Sequence, residues 1–256
     1  MLALSPRDVC EIDVIIHGAS SNSPEHFSSP TEIFNEVTQI TQHVANLCSL
    51  ANVPLVYLSS GAVYDKSRIG MRPFKETDPT IDVNASENNP YARGKALAER
   101  HILSQANMRN TPAAVLRIFA VAGPLLPRNK HFAFGNFIRN ALARQNIEVK
   151  AINAVWRSYI YETDLCNLIL AASHACVTQK HAFVMNVGGS ESVELRSLAS
   201  RIAKKFKVEV KCQPVDETLS PDWYVPEIGT CSGLSNIPPM KNLEEQITEI
   251  YRKIVK

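Results

Sequence analysis

The chain has 256 residues, 45% of them hydrophobic and 20% charged, with a formal net charge of +2. That length allows one large domain or two small ones, and the balance is that of an ordinary soluble globular protein. A charge so near zero excludes the strong basic field that nucleic acid or an anionic membrane requires, and no apolar run reaches the length of a membrane span.

The run Ile12 to Ala19 predicts a buried strand, β-branched through Val14-Ile15-Ile16 and ended by Gly18 and Ala19. Thr31 to Leu50 reads as a helix, because Ile33, Phe34, Val37, Ile40, Val44 and Leu47 recur at spacings of three and four. Pro54 to Ser59 is a second buried strand, followed by a long polar loop from Asp65 to Asn89. A helix starts at Pro90, where proline suits the first turn. Ala113 to Ala120 is a third strand. Strands alternating with helices predict an α/β domain with a Rossmann-like, doubly wound parallel sheet, whose ligands bind beyond the carboxyl ends of the strands.

The texture changes after Gly123-Pro124. A loop from Leu125 to His131 leads to a helix over Gly135–Gln145. Trp156–Tyr161 predicts a strand, Asp164–Ala175 a helix and Phe183–Val187 a strand. Leu195, Leu198, Ala199, Ile202, Ala203 and Phe206 mark an amphipathic helix, and a last helix runs from about Asn242 to Val255. The chain thus divides near residue 123.

Six cysteines (Cys10, Cys48, Cys166, Cys176, Cys212, Cys231) form no C-x-x-C pair, which predicts free thiols in a reducing cytoplasm and no metal site. Met1-Leu2-Ala3-Leu4 passes at once into Ser5-Pro6-Arg7-Asp8, unlike a signal peptide. Glycine is scarce, 10 in 256 residues, and no G-x-G-x-x-G turn occurs.

The chemistry-bearing run is Asn89-Pro90-Tyr91-Ala92-Arg93-Gly94-Lys95, with Ser59-Ser60-Gly61-Ala62-Val63-Tyr64 upstream. A tyrosine four residues before a lysine puts both on one helix face. There the ammonium can lower the phenol's pKa, which suits a proton acceptor for a sugar or alcohol hydroxyl. A serine hydroxyl can hold the same oxygen. Ser60, Tyr91 and Lys95 are thus the candidate catalytic trio of an alcohol–ketone oxidoreductase. The bland alternatives are a core tyrosine, a solvated lysine and a turn serine. His17, at its strand end, is expected to pack and make a backbone hydrogen bond rather than act as a base. Arg157 is a candidate phosphate clamp, because guanidinium pairs bidentately with phosphate; the alternative is a surface salt bridge. Asn136 is either a substrate contact or a helix N-cap.

These motifs resemble the extended short-chain dehydrogenase/reductases, the NAD-dependent epimerase/dehydratase family that acts on nucleotide sugars. Asp13-Val14-Ile15-Ile16-His17-Gly18-Ala19 resembles the family's fourth strand, Asp-x-Val-x-His-x-Ala. Phe34-Asn35-Glu36-Val37-Thr38 resembles its asparagine-bearing helix, and Ser59 to Tyr64 its Ser-Ser-x-x-Val-Tyr. Tyr91 to Lys95 is the Tyr-x-x-x-Lys pair. Leu116-Arg117-Ile118-Phe119 with Gly123-Pro124, Arg157 to Leu165, and Asn186-Val187-Gly188 also fit. The order of the motifs, more than any one of them, carries the resemblance.

The resemblance implies an NAD or NADP cofactor held by His17, Ala19, Ser59, Tyr91 and Lys95, with Asn136 and Arg157 on the nucleotide sugar. It implies an incomplete nucleotide-binding domain over 1–123, with return segments near 157–187, and a smaller α+β domain over 124–256 mainly for substrate. It implies that Asn35 positions the active-site loop or a water. It also implies polysaccharide biosynthesis and a homodimer through helices 31–50 and 90–108. Gly61 and Ala62 stand where dehydratases of the family carry an acidic pair, so an epimerase or 4-keto reductase is expected. Ala120 and Ala122 replace the asparagine and tyrosine of many relatives.

The largest departure is at the start. The family opens with a glycine-rich βαβ segment, and about a dozen residues stand here before the fourth strand; the expected missing piece is roughly 60 residues, about two βαβ-sized units. Its loss would strip the pyrophosphate cradle and bare a strand edge. The competing expectation is therefore a catalytically inactive remnant, or a sugar-nucleotide-binding partner of a longer homologue.

Overall fold

The computed structural model describes residues 4–20, 29–85, 88–128, 132–228, 234 and 237–255. In chain order its elements are β1 (Ile15–His17), α1 (Pro30–Ala51), β2 (Leu55–Ser60), α2 (Lys66–Ile69), α3 (Pro90–Arg109), β3 (Ala113–Ile118), β4 (Ala120–Ala122), α4 (Ala133–Leu142), β5 (Ile147–Val149), β6 (Val155–Tyr161), α5 (Glu162–Gln179), β7 (Phe183–Val187), β8 (Ser192–Glu194), α6 (Leu195–Phe206), β9 (Val210–Cys212), β10 (Asp222–Tyr224) and α7 (Leu243–Ile254). No described helix is long and apolar enough to cross a membrane.

The main sheet runs β1-β2-β3-β7, and every pairing in it is parallel. The period of two along its strands divides the core. Leu55 and Tyr57 on β2, with Ala113 and Val115 on β3, pack on one face against Val44 and Cys48 of α1 and Ile102 of α3. Val56, Ala114 and Leu116 turn to the other face and meet Leu168, Ala172 and Cys176 of α5. Helices on both faces of a parallel sheet make this an α/β, Rossmann-like fold.

A second sheet orders β10-β6-β4, and β8 pairs antiparallel with β6. With the β5–β9 pair it encloses a separate core built by Phe134, Phe137, Ile138, Leu198, Ile202, Phe206, Ile247 and Ile250.

Several expectations are corrected in detail. The strand expected over 12–19 pairs with β2 only from Ile15 to His17, because Glu11, Ile12 and Asp13 are exposed. The strand expected over 113–120 breaks at Phe119, whose amide reaches Val187 O at 2.9 Å, and the chain then changes sheets. α2 lies inside the expected loop, where the Asp65 carboxylate accepts from the Ser67 amide at 3.1 Å. The helix expected over 135–145 occupies 133–142, and Arg144 beyond it is left-handed with φ 56°. The strands β5, β8, β9 and β10 have three residues each, too few to display a period. β1 is the sheet's edge; among the described residues no strand pairs with its outer side, and Ile16 is 44% exposed.

Candidate active site

The carboxyl end of β2 delivers Ser59 and Ser60 to the rim of the main sheet. Ser60 starts a 3-10 turn and accepts the Ala62 amide at 3.2 Å. Its expected turn role is therefore real, and it does not exclude a second one. Opposite, Asn89 caps α3 by accepting the amides of Tyr91 at 2.9 Å and Ala92 at 3.2 Å. Pro90 stands at the first helical position and Tyr91 in the first turn, where the positive end of the helix dipole favours a phenolate.

The Ser60 hydroxyl lies near enough to the Tyr91 phenol to favour its ionised form. The Ser60 hydroxyl also lies 3.5 Å from the phenol oxygen of Tyr224, on β10. Lys95, one helical turn beyond Tyr91, is buried; its ammonium donates to Leu58 O at 2.8 Å and lies 5.7 Å from the Tyr91 ring centroid. The trio thus converges as expected, joined by a tyrosine 164 residues along the chain from Ser60. A three-residue strand gave no periodic signal for Tyr224 in the sequence.

The electrostatics correct one expectation. Burial pushes the Tyr91 phenol above its ordinary value, and the Ser60 hydrogen bond opposes the rise. Burial also brings Lys95 down to about 8, against the nearby Glu99 carboxylate. The Lys95 ammonium is engaged by Leu58 O, and burial outweighs what favours the phenolate, so the phenol's shift runs opposite to the one that spacing alone suggests.

His17 is buried, bonded through Nε2 to Thr41 Oγ1 at 3.0 Å and stacked on Tyr57 at 5.5 Å. Burial, then the Lys95 charge, lowers it to about 4. It packs as expected, but its partner is the Thr41 side chain on α1 instead of backbone. Tyr57 links it to Lys95, whose ammonium is 4.7 Å from the Tyr57 ring centroid. Ala19 lies half-buried just beyond β1. The Ser59 side chain turns inward and donates to Glu99 Oε1 at 2.5 Å. Glu99 is paired with buried Arg117 at 2.8 Å, and Arg117 donates to Tyr64 Oη at 2.9 Å. Asn35 is exposed on α1.

Arg157, on β6, is salt-bridged to Asp222 at 2.5 Å and lies 5.7 Å from the Tyr224 ring centroid. Asn136 is inside α4, three residues past its start, and its amide meets Phe132 O at 3.0 Å; the N-cap alternative is therefore excluded, since Phe132 holds that position. Asn136 instead lines a depression of about 930 Å³ with Phe137, Arg139, Arg144, Lys150 and Lys211, which Ser60, Tyr91 and Arg157 do not line. Gly61 backs onto the Phe119 ring, where a Cβ would come within 2.7 Å of Cζ, so a carboxylate has no room there. Ala122 is fully buried and Ala120 partly so, both on β4.

Comparison with known proteins places the chain among relatives of one kind. A family model described as "NAD dependent epimerase/dehydratase family" matches residues 5–188. The UDP-glucuronic acid decarboxylase 1 of Xenopus tropicalis is 26% identical over 175 residues, 66% of this chain, and the chain spans 40% of the length of that curated relative. A solved UDP-N-acetylglucosamine 4-epimerase of Methanobrevibacter ruminantium M1, in complex with UDP-N-acetylmuramic acid, superimposes with TM-score 0.82 and 20% identity, covering 98% of this chain and 79% of its own. A UDP-glucose-4-epimerase of Stenotrophomonas maltophila with bound NAD gives TM-score 0.78 and 19% identity, covering 96% and 78%. At these identities the structural likeness is one of fold.

Proposed function

This chain belongs to the NAD dependent epimerase/dehydratase family, and we propose that it handles a nucleotide sugar by proton transfer at Tyr91, in a 4-epimerase or 4-keto reductase reaction. The observation that carries this reading is the convergence on one hydroxyl: Ser60 contacts both Tyr91 and Tyr224, with Lys95 one turn behind.

In this reading Tyr91 works as the phenolate, which the α3 dipole and the Ser60 hydroxyl favour against burial, to take the proton from a sugar hydroxyl and return it in an epimerisation. In a 4-keto reduction the neutral phenol gives its proton to the keto oxygen, and Ser60 holds the same oxygen in both. Lys95 fits the ribose end of a dinucleotide, since its ammonium offers three donors and Leu58 O accepts from one. The pyrophosphate end is different, because the 256 residues hold no glycine turn. The nicotinamide, when bound, supplies hydride acceptance and return. Arg157 clamps the diphosphate, and the basic depression beside Asn136 takes the nucleotide end. The crowding of Gly61 by Phe119 argues against a dehydratase acid at that position. Residues 1–123, with the return segments near 157–187, serve the cofactor and 124–256 mainly the substrate, with α1 and α3 as a homodimer face.

Calorimetry with NAD(H) and NADP(H) tests the reading. Binding tighter than about 100 μM, roughly −5.5 kcal/mol, weakened in Lys95→Met, supports it. A folded chain that binds neither dinucleotide overturns it in favour of a non-catalytic, sugar-nucleotide-binding role.

A further inference from the structure

The guanidinium assigned above to the substrate's diphosphate already has an anion on it. Arg157 Nη2 meets Asp222 Oδ2 at 2.5 Å, and Nη1 donates to Trp156 O at 2.8 Å and to Asp222 O at 3.2 Å. Three of the five N–H donors are thus engaged, and the Asp222 carboxylate offsets the charge that a phosphate would meet at the fork. The other Asp222 oxygen, Oδ1, accepts from Lys66 of α2 at 2.7 Å. One carboxylate thus pairs with two cations from separate parts of the chain.

The cluster adjoins the candidate active site. Asp222 and Tyr224 are two apart on β10, so their side chains share a face. The Tyr224 phenol touches Ser60, while Lys66 and Arg157 lie 5.1 and 5.7 Å from its ring centroid. The groups are reachable from solvent, with side-chain exposures of 48% for Lys66, 34% for Asp222 and 23% for Arg157. Holding β10 in place does not require the carboxylate, because backbone pairing with β6 and the Asp222 amide on Ala154 O at 2.8 Å already do so.

We propose that Asp222 is an internal counter-anion on the Arg157 clamp, which an incoming nucleoside diphosphate must displace, so that Asp222 sets the affinity for the substrate's anionic end. The inference rests on the assignment of Arg157 to the diphosphate. With Asp222 in place the cluster carries one net positive charge; with it displaced, two cations face the phosphates. A carboxylate and a phosphate on one guanidinium repel each other.

The test is calorimetry with UDP at neutral pH on the wild type, Asp222→Asn, Arg157→Ala and the double variant. Asp222→Asn is expected to tighten UDP about threefold to fivefold, the scale of a partly exposed ion pair. Arg157→Ala should weaken it, and adding Asp222→Asn to Arg157→Ala should gain less than Asp222→Asn gains in the wild type, since only Lys66 is then left to be freed. Unchanged or weaker binding in Asp222→Asn, with Arg157→Ala still damaging, overturns the counter-anion and leaves the clamp standing. Equal UDP binding in Arg157→Ala and wild type sinks the clamp and the counter-anion with it. A crystal structure of the wild type with UDP needs no variant to fold: Arg157 on the phosphates and parted from Asp222 supports the proposal, and an intact Arg157–Asp222 pair contradicts it.

Discussion

The Lys95 ammonium donates to the carbonyl oxygen of Leu58 at 2.8 Å, tying the second turn of α3 to the carboxyl end of β2. This bond holds a buried cation whose pKa burial has brought to about 8. Because the folded state disfavours the charged form, the cost is carried in full below about 8 and fades as the pH rises toward the ordinary lysine value. Lys95→Met removes that cost, on the order of 3 kcal/mol, and loses a hydrogen bond of about 1 kcal/mol. We expect Lys95→Met to be more stable than wild type by about 1–2 kcal/mol at pH 7 in urea unfolding, with the gap closing between pH 8 and 10.5, while turnover falls. A variant less stable at every pH would show that the bond, and not the burial, dominates.

Glu99 and Arg117 form an ion pair with side chains 3% and 7% exposed, and Ser59 and Tyr64 add hydrogen bonds to it. Removing one charge strands the other. Glu99→Ala should therefore cost about 3–5 kcal/mol in chemical denaturation. The pair Glu99→Leu with Arg117→Met should lose less than Glu99→Ala alone. Equal losses in both variants would mean that packing, rather than the stranded guanidinium, sets the cost.

His17 is held neutral down to about pH 4 by burial and the Lys95 charge. The unfolded chain takes up its proton near the ordinary histidine pKa, so stability from this group is complete above about 6.5 and is lost as the pH falls toward 4. The loss is on the order of 3 kcal/mol. His17→Phe keeps the stacking on Tyr57 and has no proton to gain. Its urea midpoint should fall less than the wild type's between pH 7 and 4.5; identical slopes would place the acid sensitivity elsewhere.

The sequence made the candidate trio legible because helix spacing alone puts Tyr91 and Lys95 on one face, and Pro90 behind Asn89 marks the helix start. Ser60 was legible by its place past an apolar strand. What lay outside reach depends on contacts distant in sequence. Tyr224 and Asp222 stand on a strand of three residues, and their partners Ser60, Lys66 and Arg157 are 164, 156 and 65 residues away. The pKa direction of Tyr91 follows from burial, which spacing does not reveal. Asn136 could be an N-cap only of a helix that starts after it; the helix starts at Ala133, which puts Asn136 inside it.

The central claim is that Tyr91 carries the proton. Its most direct test is the turnover of UDP-sugars with added NAD or NADP by wild type and by Tyr91→Phe, which keeps the ring and loses the oxygen. The account predicts measurable wild-type turnover and a fall in kcat of at least about 100-fold in the variant, with UDP affinity unchanged. Wild-type kcat in Tyr91→Phe would contradict it.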